Sequence, residues 1–450
     1  MKNFKRILGY ALLLFLLALV YVLYTNYPKL EFISGFAAKN ICSCEFIDQR
    51  AIAYTENNDN NFSPVNLAKS SVDVASQSAT ADVYGLKQRT AIYRKGLGCV
   101  LVPEHMALDA IESQQPRRVL DPKPLPYPYG DGAQKDTIFS ALDYNQIQQV
   151  VDMAFNNNEV QKTRAVLVIY KDQIIAERYV DSLNRNSKLL GWSMTKSVLA
   201  TLYGILSYER GFSIDQPAKV EAWKNDERAK ITYTDLFHMN SGLEWEEDYA
   251  QISDVTRMLF QAKDMAKVQA EKKAAYAPNT HFNYSSGTTN LLSGLLRQEF
   301  DSYEQYLNFP YQKLIDRIGM HSMLIETDAV GTFVGSSYGW ATTRDWGKFG
   351  LLYLHQGNWN GDQLFDKHWV DFVTTAAPNS EKQYGGHFWL STPEKLPDVP
   401  ADTYYADGFQ GQRVYIVPSK DLVVVRLGLA STAYFDFNAF LSGITNAITN

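Results

Sequence analysis

Residues 191–200 read GWSMTKSVLA, which places Ser193 three positions before Lys196 at the start of an apolar run. Positions i and i+3 share one face of an α-helix, so the two side chains meet if a helix begins at Ser193. A serine hydroxyl becomes a nucleophile when a base stands beside it, and a lysine is such a base when burial or nearby cations lower its pKa. The helix N-terminus adds backbone N–H groups that favour negative charge. The stretch therefore predicts a nucleophile, its base and part of an oxyanion site, although an ordinary helix start with a solvated lysine has the same pattern.

The composition is that of a globular protein and excludes some classes of function. The chain has 450 residues, of which 46% are hydrophobic and 20% are charged, and its net charge is −6. A nucleic-acid-binding surface would be basic and clustered, so no nucleic-acid partner is expected. No phosphate-binding glycine loop is visible, and His238 and His281 do not have metal-ligand spacing, so we expect neither a cofactor nor a metal.

An acidic cluster surrounds Trp245. Its members are Glu244, Glu246, Glu247 and Asp248. Because runs of like charge usually lie in solvent, we interpret the cluster as a solvated face, with a cation site as the alternative.

The N-terminus has the pattern of a membrane anchor. Lys2, Lys5 and Arg6 precede residues 7–24, which carry no charge and are mostly apolar. This run is long enough to cross a bilayer, and the tyrosines that follow it suit the membrane interface. We predict a single-pass anchor in the inner membrane, with the body on the periplasmic, extracytoplasmic side. A cleaved signal peptide is the competing interpretation.

The three cysteines, Cys42, Cys44 and Cys99, all lie well before Ser193, so none is a candidate nucleophile. Cys42 and Cys44 are too close in sequence to bond easily to each other. A disulfide from one of them to Cys99 fits an oxidising compartment, and three reduced thiols remain the alternative.

Apolar patterning predicts strands at both ends of the main region and helices between them. One hairpin is expected at 165–170 and 174–179, and a second at 413–417 and 422–427. Helical spacing covers 144–157, 193–210 closed by Gly211, 234–240 capped by Thr234, 253–269, 288–299, a segment that starts at Thr342 or Thr343, and 434–448. Segregated strands and helices indicate an α+β fold: an antiparallel β-sheet flanked by helices, plus a helical subdomain.

Three regions follow from these patterns. Residues 1–25 are the predicted anchor. Residues 26–137 are an extension that includes a polar loop at 57–78 and a proline-rich connector at 116–128. Residues 138–450 are the main domain.

Two further stretches carry chemistry. Tyr284 lies in a loop between predicted helices, and a tyrosine beside a lysine can act as a general base or proton shuttle. Residues 407–412 read DGFQGQ before the last hairpin, where two glycines let the backbone approach a ligand. A free N–H there could complete an oxyanion hole with that of Ser193. The alternatives are a polar loop with a packed tyrosine and a simple glycine turn.

Taken in order, these stretches resemble the serine β-lactamase and penicillin-binding protein superfamily. The resemblance rests on Ser193-x-x-Lys196, Tyr284-Ser285-Ser286 and Phe409-Gln410-Gly411, and residues 231–243, 278–285 and 342–346 resemble segments of its class C-like branch. Within that branch the chain is most similar to esterases and 6-aminohexanoate-dimer hydrolases. The resemblance covers the region from about residue 144 onward and implies that residues 138–450 form a β-lactamase-like serine hydrolase domain.

The resemblance implies a role for each matching residue. Ser193 would be the acylated nucleophile, and Lys196 and Tyr284 would share the acid and base work. The backbone amides of Ser193 and Gln412 would form the oxyanion hole. The remaining candidates are expected to contact the substrate, namely Trp192, Ser286, Phe409, Gln410 and Gly411.

Two positions depart from the family's pattern. Ser286 stands where the second motif usually ends in Asn, which puts recognition of β-lactam or peptide side chains in doubt. Phe409 stands where β-lactamases and peptidases have a Lys that holds a substrate carboxylate. Phe409 and Trp192 would instead make the cleft apolar. Trp340, Trp389 and Tyr338 could also line it, although core packing is the more usual role for each of these residues.

The sequence thus predicts a serine hydrolase that acts on an ester or a small amide, including oligoamide-like compounds, through an acyl-enzyme. A β-lactamase or D,D-peptidase is the alternative among enzymes. A non-catalytic receptor for a peptide or cell-wall fragment is the alternative outside them.

Overall fold

The computed structural model describes residues 2–130, 132–135, 137–430 and 432–449. The α-helices are α1 Lys2–Asp48, α2 Ile52–Asn57, α3 Tyr144–Met153, α4 Asn158–Gln161, α5 Met194–Arg210, α6 Tyr233–Phe237, α7 Asp254–Gln261, α8 Met265–Ala270, α9 Ser286–Gln298, α10 Tyr303–Pro310, α11 Thr343–Leu354, α12 Lys367–Thr374 and α13 Phe437–Asn446. The strands are β1 Lys69–Asp73, β2 Ser78–Val83, β3 Leu86–Arg94, β4 Gly98–Leu101, β5 Thr163–Tyr170, β6 Gln173–Tyr179, β7 Lys188–Leu190, β8 Leu324–Ile325, β9 Gly339–Thr342, β10 Asn358–Trp359, β11 Asp362–Gln363, β12 Trp389–Leu390, β13 Tyr404–Gly408, β14 Gln412–Val417 and β15 Leu422–Gly428.

The chain divides into two compact units. The first unit comprises Met1–Tyr93, Cys99–Leu108 and Asp248–Ala262. The second unit comprises Arg94–Gly98, Asp109–Glu247 and Lys263–Asn450. The division at residues 25 and 137 stays a prediction.

Helix α1 dominates the first unit. Its 47 residues extend about 70 Å at the rise of an α-helix. Residues 4–29 are exposed, whereas residues 33–44 are buried. Within the described residues, the segment Phe4–Asp48 is the one helix long and apolar enough to cross a membrane, by length and composition. The helix therefore continues well beyond the apolar run on which the anchor was predicted.

A four-stranded sheet in the order β1-β2-β3-β4 completes the first unit. Alternate residues of β2, including Ala79, Ala81 and Val83, are buried, and α1 packs on this strand. Cys42 on α1 is bonded to Cys99 on β4, with 6.0 Å between their Cα atoms, and Cys44 is buried. The prediction of a loop throughout 57–78 is wrong at β1, because that strand is polar on both faces and gives no alternation of apolar residues.

The second unit is built on a six-stranded antiparallel sheet in the order β12-β13-β14-β15-β5-β6. Its central strands β5 and β15 are buried along their whole length. Helices α3 and α13 pack against one face, and α5 and α11 contact strands of the same sheet. Both predicted hairpins are confirmed, and so is the α+β fold of an antiparallel sheet flanked by helices.

Several predicted helices differ in their bounds, including 288–299, which is α9, and 434–448, which is α13. The predicted helix 253–269 is two helices, α7 and α8, because Ala262 leaves the helical conformation and Asp264 caps α8 anew. Helix α6 is capped by Thr232, not Thr234, because the Thr232 and Asp235 side chains satisfy each other's backbone N–H groups. Helix α3 ends at Met153 instead of Asn157.

Candidate active site

A strained turn presents Ser193 at the start of α5. Trp192 has φ +48°, a conformation that costs energy for a residue with a side chain. The Thr195 hydroxyl donates to the Trp192 carbonyl at 2.7 Å and accepts from the Gly339 amide at 2.9 Å. Strand β9 and α5 thereby fix the turn, and the half-buried Ser193 lies at the start of the helix, as the sequence predicts.

Lys196 lies one helical turn further on and is 1% exposed. Its Nζ atom is 3.0 Å from Ser193 Oγ, 3.0 Å from Ser286 Oγ and 3.1 Å from the Ser336 carbonyl oxygen. Burial lowers the pKa of Lys196 from 10.5 to about 8, while the negative charge of Glu247 acts in the opposite direction. A substantial fraction of this lysine is therefore neutral near pH 8, as a base for Ser193 must be.

Tyr284 reaches the same ammonium group from the segment before α9. The centroid of its ring lies 4.8 Å from Lys196 Nζ. The rings of Tyr384 and Trp389 pack against it, with centroid distances of 5.7 and 5.5 Å. The structure thus brings Ser193, Lys196 and Tyr284 together, and the proton-transfer role of Tyr284 stays a prediction.

Ser286 and Glu247 form the side of the site behind Lys196. Ser286 begins α9 and is fully buried. Its hydroxyl donates to Glu247 Oε1 at 2.5 Å, and its backbone amide donates to Glu247 Oε2 at 2.9 Å. Trp245 Nε1 donates to Glu247 Oε2 at 2.5 Å. The interpretation of Glu247 as part of a solvated face is wrong, because these donors draw its carboxylate inward.

The turn after β13 is the third part of the site. Gly408 pairs with Gln412 across it, and Gln410 and Gly411 have φ values of +62° and +78°. The Gln412 side-chain amide donates to the Phe409 carbonyl at 3.0 Å and to the Gly428 carbonyl at 2.5 Å. These bonds hold the turn in shape, while the oxyanion role of the Gln412 backbone amide stays a prediction.

Two contacts bring this turn to the nucleophile. A Cβ atom on Gly408 would lie 2.2 Å from the Gly191 carbonyl oxygen, so only glycine permits this approach. The Phe409 ring packs edge-on against Trp192 with 5.4 Å between centroids. The predicted apolar wall beside Ser193 therefore exists, and the ring centroid of Tyr338 lies 6.2 Å from that of Trp192.

The other aromatic candidates divide between core and site. Trp340 is 1% exposed, and its Nε1 donates to Glu326 Oε2 at 2.9 Å, so it belongs to the core. Trp389 is half-buried beside Tyr284 and lies at the site.

Sequence reasoning missed the part played by Glu247. The segment from Leu243 onward has no periodicity that places it against α9, which starts 39 residues after Glu247. Only tertiary structure brings the carboxylate to Ser286. The one available signal was Ser286, which stands where the family's motif has Asn. It indicates that this part of the site differs from that of the family.

The site has a serine that is hydrogen-bonded to a buried lysine at the start of a helix, and it lies on an antiparallel sheet flanked by helices. These features define a class of protein, the serine β-lactamase superfamily. The comparisons agree with this class. The chain belongs to the Beta-lactamase family, whose sequence profile matches residues 155–434. No curated protein sequence matches the chain.

Solved structures of this fold resemble the chain at low sequence identity. A protein described as a 6-aminohexanoate-dimer hydrolase from Bacillus anthracis is 20% identical, with a TM-score of 0.54 over 66% of this chain and 80% of that one. A family VIII carboxylesterase is 12% identical, with a TM-score of 0.53 over 70% and 99%. A class C β-lactamase is 14% identical, with a TM-score of 0.50 over 68% and 96%. At these identities the likeness concerns the fold.

Proposed function

We propose that this protein is a serine hydrolase that cleaves an ester or a small amide through an acyl-enzyme on Ser193. The observation that carries the proposal is the buried Lys196, whose Nζ atom lies 3.0 Å from Ser193 Oγ and whose pKa is lowered to about 8. A lysine in this state accepts a proton from a serine hydroxyl at a modest cost near neutral pH.

The reaction then follows from the positions of these groups. Ser193 Oγ attacks the substrate carbonyl carbon while its proton passes to the neutral Lys196. The carbonyl oxygen becomes an oxyanion, which the backbone amides of Ser193 and Gln412 stabilise. Collapse of this intermediate breaks the bond to the leaving group, which takes a proton from Lys196 or Tyr284. In the second half of the reaction, water takes the place of Ser193 as the nucleophile and Ser193 takes the place of the leaving group, which releases the acyl group.

The apolar wall supports an ester or small amide as the substrate. Trp192 and Phe409 pack together beside Ser193, where an acyl chain would lie. Phe409 brings no cation to hold a substrate carboxylate, as the lysine of β-lactamases would. The similar structures described as a 6-aminohexanoate-dimer hydrolase and a carboxylesterase are consistent with this substrate class.

The first half of α1 supports a single-pass membrane anchor. Its residues 4–29 are exposed, and Lys5 and Arg6 precede the uncharged, mostly apolar run 7–24 on what would be the cytoplasmic side. The disulfide between Cys42 and Cys99 suits an oxidising compartment. We therefore place the catalytic domain outside the cytoplasm, on the periplasmic side of the inner membrane.

The test is hydrolysis of p-nitrophenyl acetate, nitrocefin and a short ω-amino-acid oligoamide by the full-length protein in detergent. Ser193→Ala should abolish turnover of the ester or the oligoamide, whereas Ser213→Ala, at an exposed serine after α5, should not. Turnover of nitrocefin alone would favour a β-lactamase. Absence of turnover, together with an acylating probe that fails to label Ser193, would favour a non-catalytic receptor.

A further inference from the structure

Glu247 ends a chain of hydrogen bonds that begins at the nucleophile. Lys196 Nζ contacts Ser193 Oγ and Ser286 Oγ, both at 3.0 Å, and the Ser286 hydroxyl in turn contacts Glu247 Oε1 at 2.5 Å. The chain therefore runs from Ser193 through Lys196 and Ser286 to Glu247. Its direction depends on where each hydrogen points.

Counting hydrogens fixes that direction. A serine hydroxyl has one hydrogen, and Ser286 gives it to the carboxylate of Glu247, which only accepts. Ser286 Oγ can then only accept from Lys196. A neutral lysine amine has two hydrogens and one lone pair, and Ser286 Oγ and the Ser336 carbonyl take the two hydrogens. The lone pair is left facing Ser193 Oγ, as removal of its proton requires.

We propose that Glu247 is a positioning residue for the proposed hydrolysis: by binding the Ser286 hydroxyl, it prevents Ser286 from donating to Lys196 and turns the lysine lone pair toward Ser193. The inference rests on the proposed function, because it assigns a role within that reaction. The hydrogen bonds from the Ser286 amide and Trp245 Nε1 hold the carboxylate in this orientation.

Two buried titratable side chains near this chain of hydrogen bonds carry no charge near neutral pH. His387 interacts electrostatically with Lys196, and burial lowers the pKa of His387 to about 3. Tyr384 interacts electrostatically with Glu247, and burial raises its pKa well above the usual value. Lys272 lies further out, with its Nζ atom 6.0 Å from the ring centroid of Trp245. Glu247 is the charge that raises the pKa of Lys196, so its removal should be visible in the pH profile of the reaction.

The test compares Glu247→Gln, Glu247→Asp and the exposed neighbour Glu244→Gln by the pH profile of kcat/KM on the ester. Loss of the negative charge makes the ammonium form of Lys196 less stable, so Glu247→Gln should shift the rising limb to lower pH. It should also lower the plateau, on the order of tenfold or more, because an amide has one acceptor oxygen for the three donors that the carboxylate now binds, and the alignment of the general base is lost. Glu247→Asp should keep the position of the limb, and Glu244→Gln should match wild type.

Each outcome bears on one of the two proposals. An unshifted profile in Glu247→Gln, with turnover still abolished by Ser193→Ala, would overturn the role of Glu247 and leave the hydrolase proposal intact. Turnover that survives in Ser193→Ala would overturn the hydrolase proposal itself. A fall in rate with no shift of the limb in any variant would indicate that Glu247 acts only in folding, which thermal unfolding of the same variants would show.

A second, independent observation concerns the β2–β3 hairpin of the first unit. Arg89 Nη1 lies 3.0 Å from Glu31 Oε1 on α1, and Lys87 Nζ lies 5.2 Å from the ring centroid of Tyr27. Lys87 Nζ also lies 3.6 Å from Glu31 Oε2, so both basic side chains meet α1 between Tyr27 and Glu31, at the end of its exposed half.

The hairpin turn directly precedes this contact in the chain. Tyr84 and Gly85 form a two-residue turn with φ values of +57° and +74° between the paired Val83 and Leu86. The turn ends two residues before Lys87, whose Nζ atom lies over the ring of Tyr27 in the exposed half of α1. Tyr84 is 75% exposed and Leu86 is 45% exposed.

We infer that the turn at 84–86 is a second contact with the bilayer, which enters the lipid interface beside α1. Tyrosine prefers this depth, a leucine gains by leaving water, and Lys87 would stand at the headgroups. The inference rests on the proposed anchor. The turn between β1 and β2, at Val74, lies at the other end of β2 and should stay in water.

The test uses the full-length protein in vesicles that contain a lipid with a nitroxide near the headgroup. Tyr84→Cys, Val74→Cys and Tyr24→Cys each carry an environment-sensitive fluorophore. The label at 84 should lose most of its emission, as the label at 24 does, whereas the label at 74 should keep it. Quenching at 24 without quenching at 84 would overturn the hairpin contact, and no quenching at 24 would overturn the anchor.

Discussion

Replacement of the buried lysine is expected to change stability in a pH-dependent way. Lowering the pKa of Lys196 from 10.5 to about 8 corresponds to about 3 kcal/mol of destabilisation of the folded state at pH 7. Lys196→Met removes this cost and keeps the volume. It also removes three hydrogen bonds, worth about 1 kcal/mol each. At pH 7 the two effects nearly cancel.

The pH dependence separates them. The folded state binds the Lys196 proton more weakly than the unfolded chain does, so unfolding takes up a proton between about pH 8 and 10.5, and the stability of wild type rises with pH there. Lys196→Met lacks this gain. Relative to wild type, the free energy of unfolding of Lys196→Met should therefore fall by about 2 kcal/mol between pH 7 and 9.5.

Urea unfolding of the full-length protein in detergent at pH 7 and 9.5, followed by tryptophan fluorescence, measures this difference. Lys224→Met is the control, because Lys224 keeps 64% of its side chain exposed and loses little hydration on folding. Its effect should be the same at both pH values. If Lys196→Met also shows the same effect at both, the ammonium of Lys196 is not desolvated, and the argument for a lysine base is refuted.

Three further substitutions test other parts of the structure. Tyr284→Phe keeps the ring beside Lys196 and removes the hydroxyl, so kcat/KM on the ester should fall by about 10² or more while the melting temperature stays close to wild type; an unchanged rate would exclude a proton-transfer role. Gly408→Ala places a methyl group 2.2 Å from the Gly191 carbonyl and should lower kcat/KM by about tenfold or more, whereas Gly9→Ala, where the added methyl meets nothing within 4 Å, should not. Removal of the Cys42–Cys99 disulfide, at a sequence separation of 57, should destabilise the first unit by about 4 kcal/mol at most, as measured by urea-dependent proteolysis of Cys42→Ser/Cys99→Ser; equal resistance to the protease would contradict a structural role for the bond.

The sequence was sufficient to predict those parts of the fold that local patterns determine. The hairpins β5–β6 and β14–β15 combine apolar strands with turn residues, and α5 begins at a serine and ends at a glycine. Each of these signals lies within about 20 residues, so it can be read from one sequence. The same locality explains why Ser193 and Lys196 were found together.

The rest depends on contacts between distant segments. The second half of α1 is helical because its buried face packs on β2, although its own sequence is mixed in character. The break between α7 and α8 is set by the Asp264 cap, where helical periodicity alone continues. Glu247 reaches Ser286 only through the path of the loop after Leu243, and no spacing in the sequence encodes that path.

The two departures from the family's motifs are connected by chemistry. An asparagine at position 286 would offer Lys196 a carbonyl oxygen that can only accept a hydrogen bond. A serine hydroxyl can donate or accept, and it accepts from Lys196 reliably only when its own hydrogen is bound to another group. Ser286 therefore needs a partner such as Glu247, and that partner brings a negative charge close to the nucleophile. A substrate carboxylate beside the scissile bond would be repelled by this charge and would find Phe409 where a lysine would have bound it. Both departures thus support the proposed substrate class, an ester or a small amide whose acyl side is uncharged and apolar, over a β-lactam.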